Sequence, residues 1–425
     1  MKPWSLGAFG VLCASAASLC GCGENPVKPL FEGNHEEGKQ TTIVISDLHL
    51  GADASFAEDS ANRQYLVDFL KRLKVTPSID ELVLAGDVFD GWYLPFSYGP
   101  IKDYAVLYRT IAKANQEVVD AINAIIQDGR VKVTYVPGNH DVDFSRPMVE
   151  EAFPGINQTR DTAGLGAYRT GLRSEIVIEH GHRYNAFCAP DQLTDATLKQ
   201  KKVLFGPGYF FTRIAASSLL SGHNPRSFAF PDFGLPEGAS KHLNDNKTFY
   251  DVWNGATSTI GVPGMGFEDK VIPCGLAGFA DYYSLADLVP LYRNGVLTNT
   301  LFQDFDTNWA KVQTVNGVKD PLDFAVAVAE AAKLPATDAK AYTQYFDMDS
   351  QVDVVVFGHT HAPMLEKGTG AYAGKTYANS GTWIDNNGDG DHSTRSFVKV
   401  VSSLTGDETV LYGYGTDGSV TVKQQ

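Results

Sequence analysis

The chain has 425 residues, enough for two or three domains or for one large α/β domain with a long insertion, and we predict the second arrangement. Hydrophobic residues make up 43% and charged residues 20%, which is typical of a globular protein and excludes a disordered or collagen-like chain. The net charge of -15 argues against a nucleic-acid backbone as the main partner, because binding to phosphates requires clustered Lys and Arg.

The N-terminus has the pattern of an export signal. Lys2 precedes an uncharged apolar stretch at residues 6–19, which is shorter than the ~20 residues that a membrane-spanning helix needs. Residues 19–22, with the sequence LCGC, resemble the bacterial lipobox, which implies removal of residues 1–21 and lipid attachment to Cys22. An ordinary signal cleaved nearby and an uncleaved N-terminal anchor are the alternatives. We expect an exported protein, lipid-anchored to a bacterial cell-envelope membrane.

Two features of the mature chain depend on that interpretation. Pro and Gly among polar residues predict a flexible tether over residues 22–40. Apart from Cys22, the mature chain would contain only Cys188 and Cys274, and an oxidising compartment would permit a disulfide between them. Two buried free thiols are the alternative.

From residue 41 onward, strand and helix patterns alternate, which predicts a sheet that is covered by helices and is at least partly parallel. Strands are expected at residues 41–46, 81–85, 131–136, 175–179 and 352–357, and helices at 62–74 and 103–127. Two further predicted strands, at 396–401 and 409–414, would close a second sheet.

Asp, Asn or His residues follow each of the first five predicted strands. In chain order they are Asp47 and His49; Asp87; Asn139, His140 and Asp141; His180 and His182; and His359 and His361. Ligand crevices of open α/β sheets lie outside the carboxyl ends of the strands, so we expect these side chains to form one site. Side chains at i and i+2 of an extended segment point the same way, so the D-x-H and H-x-H pairs can each bind one metal centre. Mixed carboxylate and imidazole ligands favour Mn, Fe, Zn or similar ions over Ca or Mg alone.

Together these motifs resemble the calcineurin-like metallophosphoesterase family, whose pattern is D-x-H, G-D, G-N-H-[DE], H and G-H-x-H. The resemblance covers about residues 41–182 and 350–385 and includes every motif. It implies a four-layer α/β/β/α sandwich of the metallophosphoesterase type, formed by residues 41–189 and 346–425. Residues 190–345 exceed what the compact family domain needs, and we interpret them as a large inserted cap.

The resemblance also implies a role for each residue in the hydrolysis of a phosphate ester with two divalent ions, Mn, Fe or Zn. The expected ligands are Asp47, His49 and His361 for the first ion, Asn139, His180 and His359 for the second, and Asp87 as the bridge. Two ions ~3.5–4 Å apart lower the pKa of a bridging water and bind the phosphate oxygens, so that a metal-bridging hydroxide attacks phosphorus. We expect His182 to lie outside the ligand set, and contact with metal or substrate is its alternative.

His140 is an imidazole beside a ligand position that is not needed for the metals. A histidine that titrates near pH ~6.5 suits the general acid that protonates the leaving alkoxide. The family pattern G-D-x-x-D occurs at residues 86–90, and the resemblance implies that Asp90 orients His140. Two roles remain open for Asp141, which either supports the ligands from behind or caps the following turn.

Departures from the family pattern restrict the substrate. Protein Ser/Thr phosphatases carry Arg directly after the second aspartate of G-D-x-x-D, where this chain has Gly91, so protein phosphatase activity is disfavoured. The sequences at 86–92, 180–182 and 379–383 look more like the bacterial branch that includes UDP-2,3-diacylglucosamine pyrophosphatase. That enzyme acts in the cytosol whereas this chain looks exported, so we do not transfer its substrate.

Three sets of side chains allow two interpretations each. The aromatic residues of the cap, such as Tyr209, Phe249 and Trp253, fill a core of their own or line a groove for substrate or lipid. The acidic stretch 385–392 is a solvated turn, or a calcium loop that lacks the terminal Glu. Four arginines are candidate phosphate ligands or ordinary ion-pair partners, namely Arg146, Arg183, Arg213 and Arg226.

We therefore expect a hydrolase of phosphate esters that acts outside the cytoplasm, with its substrate and, through lipid, the membrane as partners and no nucleic acid as a stable partner. A phosphodiesterase, nuclease or nucleotidase of the same fold is the main alternative, because the ligand set does not discriminate among them. A noncatalytic metal-binding lipoprotein is a second alternative. The intact His140 and Asp90 argue against it, since a noncatalytic site does not need a spare acid.

Overall fold

The computed structural model describes residues 26–161, 164–191, 193, 206–275, 279–298, 301–331, 333 and 335–425. The strands are β1 Lys39–Ile45, β2 Glu81–Ala85, β3 Lys132–Val136, β4 Asn157–Gln158, β5 Ala167–Thr170, β6 Ile176–Glu179, β7 Ile272–Pro273, β8 Tyr282–Tyr283, β9 Tyr292–Arg293, β10 Val296–Leu297, β11 Val354–Phe357, β12 Met364–Lys367, β13 Thr376–Asn379, β14 Ser396–Ser403, β15 Asp407–Tyr414 and β16 Val420–Gln424. The helices are α1 Arg63–Lys74, α2 Tyr104–Ala114, α3 Gln116–Asp128, α4 Arg146–Ala152, α5 Pro207–Leu220, α6 Lys241–Ala256, α7 Leu285–Leu288, α8 Phe305–Val315, α9 Phe324–Ala331 and α10 Pro335–Ala341.

Two mixed sheets form the centre of the molecule. The first has the strand order β16-β15-β14-β1-β2-β3-β4, in which β1 to β4 are parallel and β14 pairs antiparallel with β1. The second has the order β12-β13-β11-β6-β5, in which β13, β11 and β6 are parallel. The predicted strands at the C-terminus exist, but the expectation that they close a second sheet is wrong, because β14 and β15 extend the first one.

Clusters of buried hydrophobic residues define four layers. Between the sheets, Val44 and Val83 of the first sheet pack in one cluster with Ile178 and Val356 of the second. Helices α1 to α4 cover the outer face of the first sheet. Helix α10 and the π-helix Tyr342–Phe346 cover the second. Full burial of one such aliphatic side chain stabilises a fold by ~1.5–3 kcal/mol, so this packing fixes the expected α/β/β/α sandwich.

The helix predicted over residues 103–127 is two helices, α2 and α3, that meet at Asn115. This residue is fully buried, and its Nδ2 donates to the carbonyls of Gly51 and Ile111 at 2.8 and 2.9 Å. Asn side chains compete with helical hydrogen bonds through such contacts, which explains the break. After the break, α3 packs on α1 while α2 packs on α4.

The insertion has an aromatic core. Tyr209, Phe249 and Trp253 are buried in one cluster, and Trp92 of the sandwich belongs to the same cluster. These aromatic residues are therefore core residues rather than the walls of an open groove. Cys274 is buried in that cluster as well, whereas Cys188 is only partly buried, and no disulfide joins these two described residues.

The two ends of the sandwich differ from the predicted domain boundaries. In the predicted tether 22–40, Leu30 is buried and its N–H donates to Thr76 Oγ1 at 2.8 Å, because this apolar residue packs against the end of α1. In the predicted cap 190–345, the last helix α10 belongs to the outer layer of the second sheet, where Ala341 packs with Val355. Residues 1–21 and the lipid-attachment candidate Cys22 lie outside the described residues. Within the described part of the chain, no helix is both long and apolar enough to cross a membrane.

Candidate metal centre

Loops at the carboxyl ends of parallel strands bring the seven predicted ligands together. The strands and their ligands are β1 with Asp47 and His49, β2 with Asp87, β3 with Asn139, β6 with His180, and β11 with His359 and His361. Strands β1 to β3 belong to the first sheet, and β6 and β11 belong to the second. The site therefore lies where the corresponding edges of the two sheets meet.

Asp47, His49 and His361 form the first cluster of potential ligand atoms. His361 Nε2 lies 3.1 Å from His49 Nε2 and 3.3 Å from Asp47 Oδ1. His49 Nδ1 donates to Asp90 Oδ2 at 2.8 Å, which leaves the lone pair of His49 Nε2 facing the cluster. The three potential ligand atoms converge on one point, and a carboxylate oxygen with two imidazole nitrogens is a donor set that fits a transition metal.

Asp87, His180 and His359 form the second cluster. His180 Nδ1 donates to a backbone carbonyl at 2.9 Å, which directs its Nε2 toward Asp87 Oδ2 at 3.1 Å and Asn139 Oδ1 at 3.2 Å. Asp87 Oδ2 is also 3.8 Å from His49 Nε2 of the first cluster. The Asp87 carboxylate thus lies between the two clusters, which suits a bridging ligand.

Five of the seven predicted ligands have a left-handed backbone conformation. Their φ angles are 53° for Asp47, 46° for His49, 51° for Asp87, 71° for His359 and 56° for His361. This conformation costs roughly 1–2 kcal/mol for a residue with a Cβ and persists only where the surroundings enforce it. Hydrogen bonds between the loops are one such restraint, because the Asp47 carboxylate accepts the His359 N–H at 3.0 Å.

Two glycines allow these loops to approach one another. A Cβ on Gly138 would lie 2.1 Å from Asp87 Oδ1, and a Cβ on Gly358 would lie 2.6 Å from Asp47 Oδ2. Neither carboxylate can move away without leaving its cluster. The close approach of backbone to ligand therefore explains why the G-N-H and G-H-x-H motifs begin with Gly.

Buried carboxylates dominate the electrostatics of the site. Burial raises the pKa of Asp87, but the imidazoles of His180 and His140 outweigh this and hold the pKa below its ordinary value. Burial lowers the pKa of His180, but Asp87 and Asp47 outweigh this and raise it to about 9. Burial and the neighbouring His180 lower the pKa of His359 to about 3. The ionised carboxylates create a negative potential that attracts cations into the site.

His140 lies beside the clusters with a side chain that is 13% exposed. Its Nδ1 donates to Asp90 Oδ1 at 2.8 Å, and its ring stacks on Trp92 with ring centroids 4.8 Å apart. Burial lowers the pKa of His140, but the carboxylates of Asp90 and Asp87 outweigh this and raise the pKa above its ordinary value. The ring is fixed in position, and its Nε2 remains available to a substrate.

Two acidic residues behind the ligands have more partners than the sequence indicated. Asp90 binds the ligand position His49 as well as His140. Asp141 accepts the N–H groups of Gly138 at 2.6 Å and Val88 at 2.9 Å, so it ties two ligand loops together. Of the two roles left open for Asp141, this is the supporting one.

His182 lies outside both clusters. Its ring centroid is 5.3 Å from that of His180 and 6.4 Å from that of His359. The side chain is buried, and neither ring nitrogen has a hydrogen-bond partner among the described residues. Burial and the nearby His180 lower the pKa of His182 well below its ordinary value, so the imidazole is neutral.

A cavity of about 200 Å³ borders the clusters. The described residues in its wall are Asp87, Asn139, His140, Asn185, Cys188, Ala331, Lys333, Thr337, His359, Thr360 and His361. Lys333 is the one Lys or Arg among these wall residues. It comes from the insertion, and sequence reasoning missed it and Thr337 because no motif surrounds them.

The four candidate arginines have other partners. Arg146 and Arg213 donate to the backbone carbonyls of Arg160 and Gly99, Arg183 pairs with Glu179 at 2.6 Å, and Arg226 binds Asn254 and Thr257. None of the four lies in the described wall of the cavity. In the acidic stretch 385–392, Asp385 accepts the N–H groups of Ala61 and Asn62, both at 2.8 Å, as the residues of a structural turn do.

Comparison with known proteins agrees with this geometry. Residues 41–248 match the family model of the calcineurin-like phosphoesterases. The matched range contains Asp47, Asp87, Asn139 and His180, whereas the G-H-x-H loop after β11 lies beyond it and completes both clusters in space. A search of curated proteins finds no match.

Proposed function

We propose that this chain, which contains a calcineurin-like phosphoesterase domain and is a metal-dependent hydrolase of phosphate esters, acts on phosphate monoesters with two divalent ions. The observation that carries the proposal is the pair of ligand clusters on either side of Asp87, with His140 beside them. Asp47, His49 and His361 would bind one ion, and Asn139, His180 and His359 the other. When bound, the ions would supply Lewis acidity and a nucleophile derived from water at neutral pH.

His140 is the proposed general acid for the leaving group. Asp90 accepts the Nδ1–H of His140, so the second proton of the imidazolium lies on Nε2 of a ring that lines the cavity. The stacked Trp92 restricts rotation of the ring. Protonation of a departing alkoxide by a positioned imidazole contributes ~10²- to 10⁴-fold to the rate.

The charge and the polar groups of the cavity wall support a terminal phosphate as the substrate group. A phosphate monoester carries about 1.5 to 2 negative charges near neutral pH, whereas a diester carries one. Lys333 adds a positive charge to the wall, and Asn185 and Thr337 offer hydrogen bonds.

A hydrolysis screen with added Mn²⁺ tests this proposal. We expect p-nitrophenyl phosphate to be cleaved with a higher kcat/KM than bis-p-nitrophenyl phosphate or nucleotides with internal phosphates. Lys333→Met should lower kcat/KM for the monoester by at most about fivefold and for the singly charged diester by less, since one charge contact of an exposed side chain contributes at most ~1 kcal/mol. Lys311→Met, at an exposed lysine of α8, is the control. A preference for the diester would favour the phosphodiesterase alternative instead.

The N-terminal sequence supports a place for this reaction outside the cytoplasm. The lipobox-like LCGC would attach the chain to an envelope membrane through Cys22. The resemblance to the branch of UDP-2,3-diacylglucosamine pyrophosphatase supports the arrangement of the site. Its cytosolic substrate does not carry over, because an exported enzyme meets other phosphate esters.

A further inference from the structure

Asp338 is a buried carboxylate that helix α10 places behind the metal centre. It lies on α10 and is 4% exposed. Its Oδ1 accepts hydrogen bonds from the Tyr377 hydroxyl and, at 2.9 Å, from Asn379 Nδ2. Its Oδ2 accepts from Thr360 Oγ1 at 3.3 Å. No Lys, Arg or His within the described part of the chain forms an ion pair with it.

Thr360 is the residue between the two ligand histidines of the G-H-x-H loop. His359 and His361 on either side have φ angles of 71° and 56°, and the Thr360 N–H closes a tight turn onto the Gly358 carbonyl at 2.8 Å. Nothing local favours this backbone, because left-handed conformations of residues with a Cβ are unfavourable. The loop therefore needs contacts from outside to keep its shape.

Asn379 supplies a second contact to the same loop. Its Nδ2 donates to the Gly358 carbonyl at 2.8 Å and lies 3.0 Å from Thr360 Oγ1. Asp338 accepts hydrogen bonds from Asn379 and from Thr360. A single carboxylate therefore holds the loop directly at Thr360 and orients the Asn379 side chain that binds the same loop. The neighbouring Thr337 lies in the wall of the cavity, which means that the same turn of α10 borders the substrate site.

A carboxylate in this environment reduces the stability of the fold. Burial raises the pKa of Asp338 to about 6, against the lowering effect of its three hydrogen bonds. A buried charge without a cation is unfavourable compared with a neutral group of the same shape. Packing alone therefore does not explain a charged side chain here, whereas the restraint of a strained loop does.

We propose that Asp338 is a positioning residue of the metal centre, which acts through Thr360 and Asn379 to restrain the loop that carries His359 and His361. The proposal rests on the ligand roles proposed above for these two histidines. Since His359 belongs to one cluster and His361 to the other, the restraint acts on both ions.

Mn²⁺ binding to the full chain and to Asp338→Ala tests this proposal. Equilibrium dialysis and the Mn²⁺ dependence of p-nitrophenyl phosphate hydrolysis give the affinity, and thermal unfolding without metal gives the stability. We expect Asp338→Ala to weaken Mn²⁺ binding ~10- to 100-fold, as is usual when a group behind the ligands is lost. Excess Mn²⁺ should restore kcat to within a few fold, with KM unchanged. Asp338→Asn should be intermediate, because its amide oxygen can replace only part of the acceptor capacity.

Asp320→Asn is the matched control. Lys340, which lies on α10 like Asp338, forms an ion pair with Asp320 at 3.0 Å. Asp320→Asn therefore perturbs α10 without removing the contacts of Asp338 with Thr360 and Asn379. We expect wild-type Mn²⁺ affinity in this variant. Unchanged affinity in Asp338→Ala, or equal weakening in Asp320→Asn, would overturn the proposal.

A second variant keeps the test decisive if Asp338→Ala does not fold. Thr360→Val removes the hydroxyl donor and preserves the shape of the side chain, so Mn²⁺ binding should weaken here as well. A Thr360→Val protein with wild-type affinity would contradict the role of Asp338. A wild-type protein that neither binds Mn²⁺ nor hydrolyses any phosphate ester would contradict the proposed function itself, before any variant is compared.

Discussion

The substitution Asp90→Asn tests metal binding and acid catalysis together, because the Asp90 carboxylate binds two imidazoles with different roles. Oδ2 accepts from His49 Nδ1 and Oδ1 accepts from His140 Nδ1, both at 2.8 Å. Oδ1 also accepts the backbone N–H groups of Trp92 at 2.8 Å and Tyr93 at 2.6 Å. Burial raises the pKa of Asp90, but the two imidazoles outweigh this and hold it well below its ordinary value, so the substitution removes a full charge at neutral pH.

An Asn at this position has only one acceptor oxygen for these four donors. Three of the donors point at the present Oδ1, so the amide oxygen should take that position and the amide NH₂ should face His49 Nδ1. His49 would then have to accept at Nδ1 and carry its proton on Nε2, the nitrogen that faces the first cluster. We expect the affinity for one ion to fall ~10- to 100-fold, or ~1.4–2.8 kcal/mol, while the second ion is retained.

Elemental analysis after dialysis at graded Mn²⁺ concentrations measures this loss, and His140→Ala provides the contrast. His140→Ala should keep both ions and lose ~10²- to 10⁴-fold in rate on an alkyl phosphate, with a smaller loss on p-nitrophenyl phosphate, whose leaving group needs no proton. Asp90→Asn should combine the metal defect with a milder form of this selectivity. Two ions bound with wild-type affinity in Asp90→Asn would refute the reasoning on His49. Equal losses on both esters in His140→Ala, or a lost ion, would remove His140 from the acid role.

Three other predictions concern the bridge, the buried charge and the anchor. Asp87→Asn should lower metal content and activity together, since this carboxylate faces both clusters; two metals per chain with intact activity in the variant would exclude a bridge. The folded-state pKa of Asp338, about 6, lies above the ~3.9 of an unfolded Asp, so the folded chain binds this proton more tightly. The resulting stability is present below about pH 4 and is lost as the pH rises through about 6, by on the order of 3 kcal/mol. Urea unfolding at both pH values gives the free energy of unfolding. The part of it that is lost as the pH rises should be smaller for Asp338→Asn than for the wild type, and an equal loss would contradict the argument. Cys22→Ser should release the protein from membrane fractions, and a variant that still sediments after a carbonate wash would show that the lipobox interpretation is wrong.

The ligand positions could be predicted from the sequence because the relevant pattern is local. Each motif directly follows a strand, and a strand end needs only a few residues to define which side chains emerge there. Asp47 and His49, or His359 and His361, are separated by one residue, so their proximity follows from backbone geometry. For this reason the structure brings six of the predicted ligands into two clusters and places Asn139 Oδ1 3.2 Å from His180 Nε2.

Several contacts that support the ligands could not be predicted, because the partners are distant in sequence. Asp90 meets His49 across 41 residues, and Asn379 meets Asp338 across 41 as well. Position 338 lies in a stretch without a motif, where no strand or helix pattern indicates which face meets the centre. The pairing of β14 with β1 could not be predicted for the same reason. Alternating hydrophobicity predicts that a segment is a strand, but it does not determine which strand lies beside it.

The two sheets together determine the distances between the ligands. Asp47 and His49 come from the first sheet and meet His361 of the second, while Asp87 of the first sheet meets His180 of the second. Neither sheet alone contains a complete cluster, so the packing of aliphatic side chains between the sheets fixes the site. Close-packed interiors resist small displacements, which allows the core to hold strained loops at roughly 1–2 kcal/mol per left-handed residue. The Asp338 contacts add a restraint on the loop of His359 and His361 from helix α10, which packs on the outer face of the second sheet.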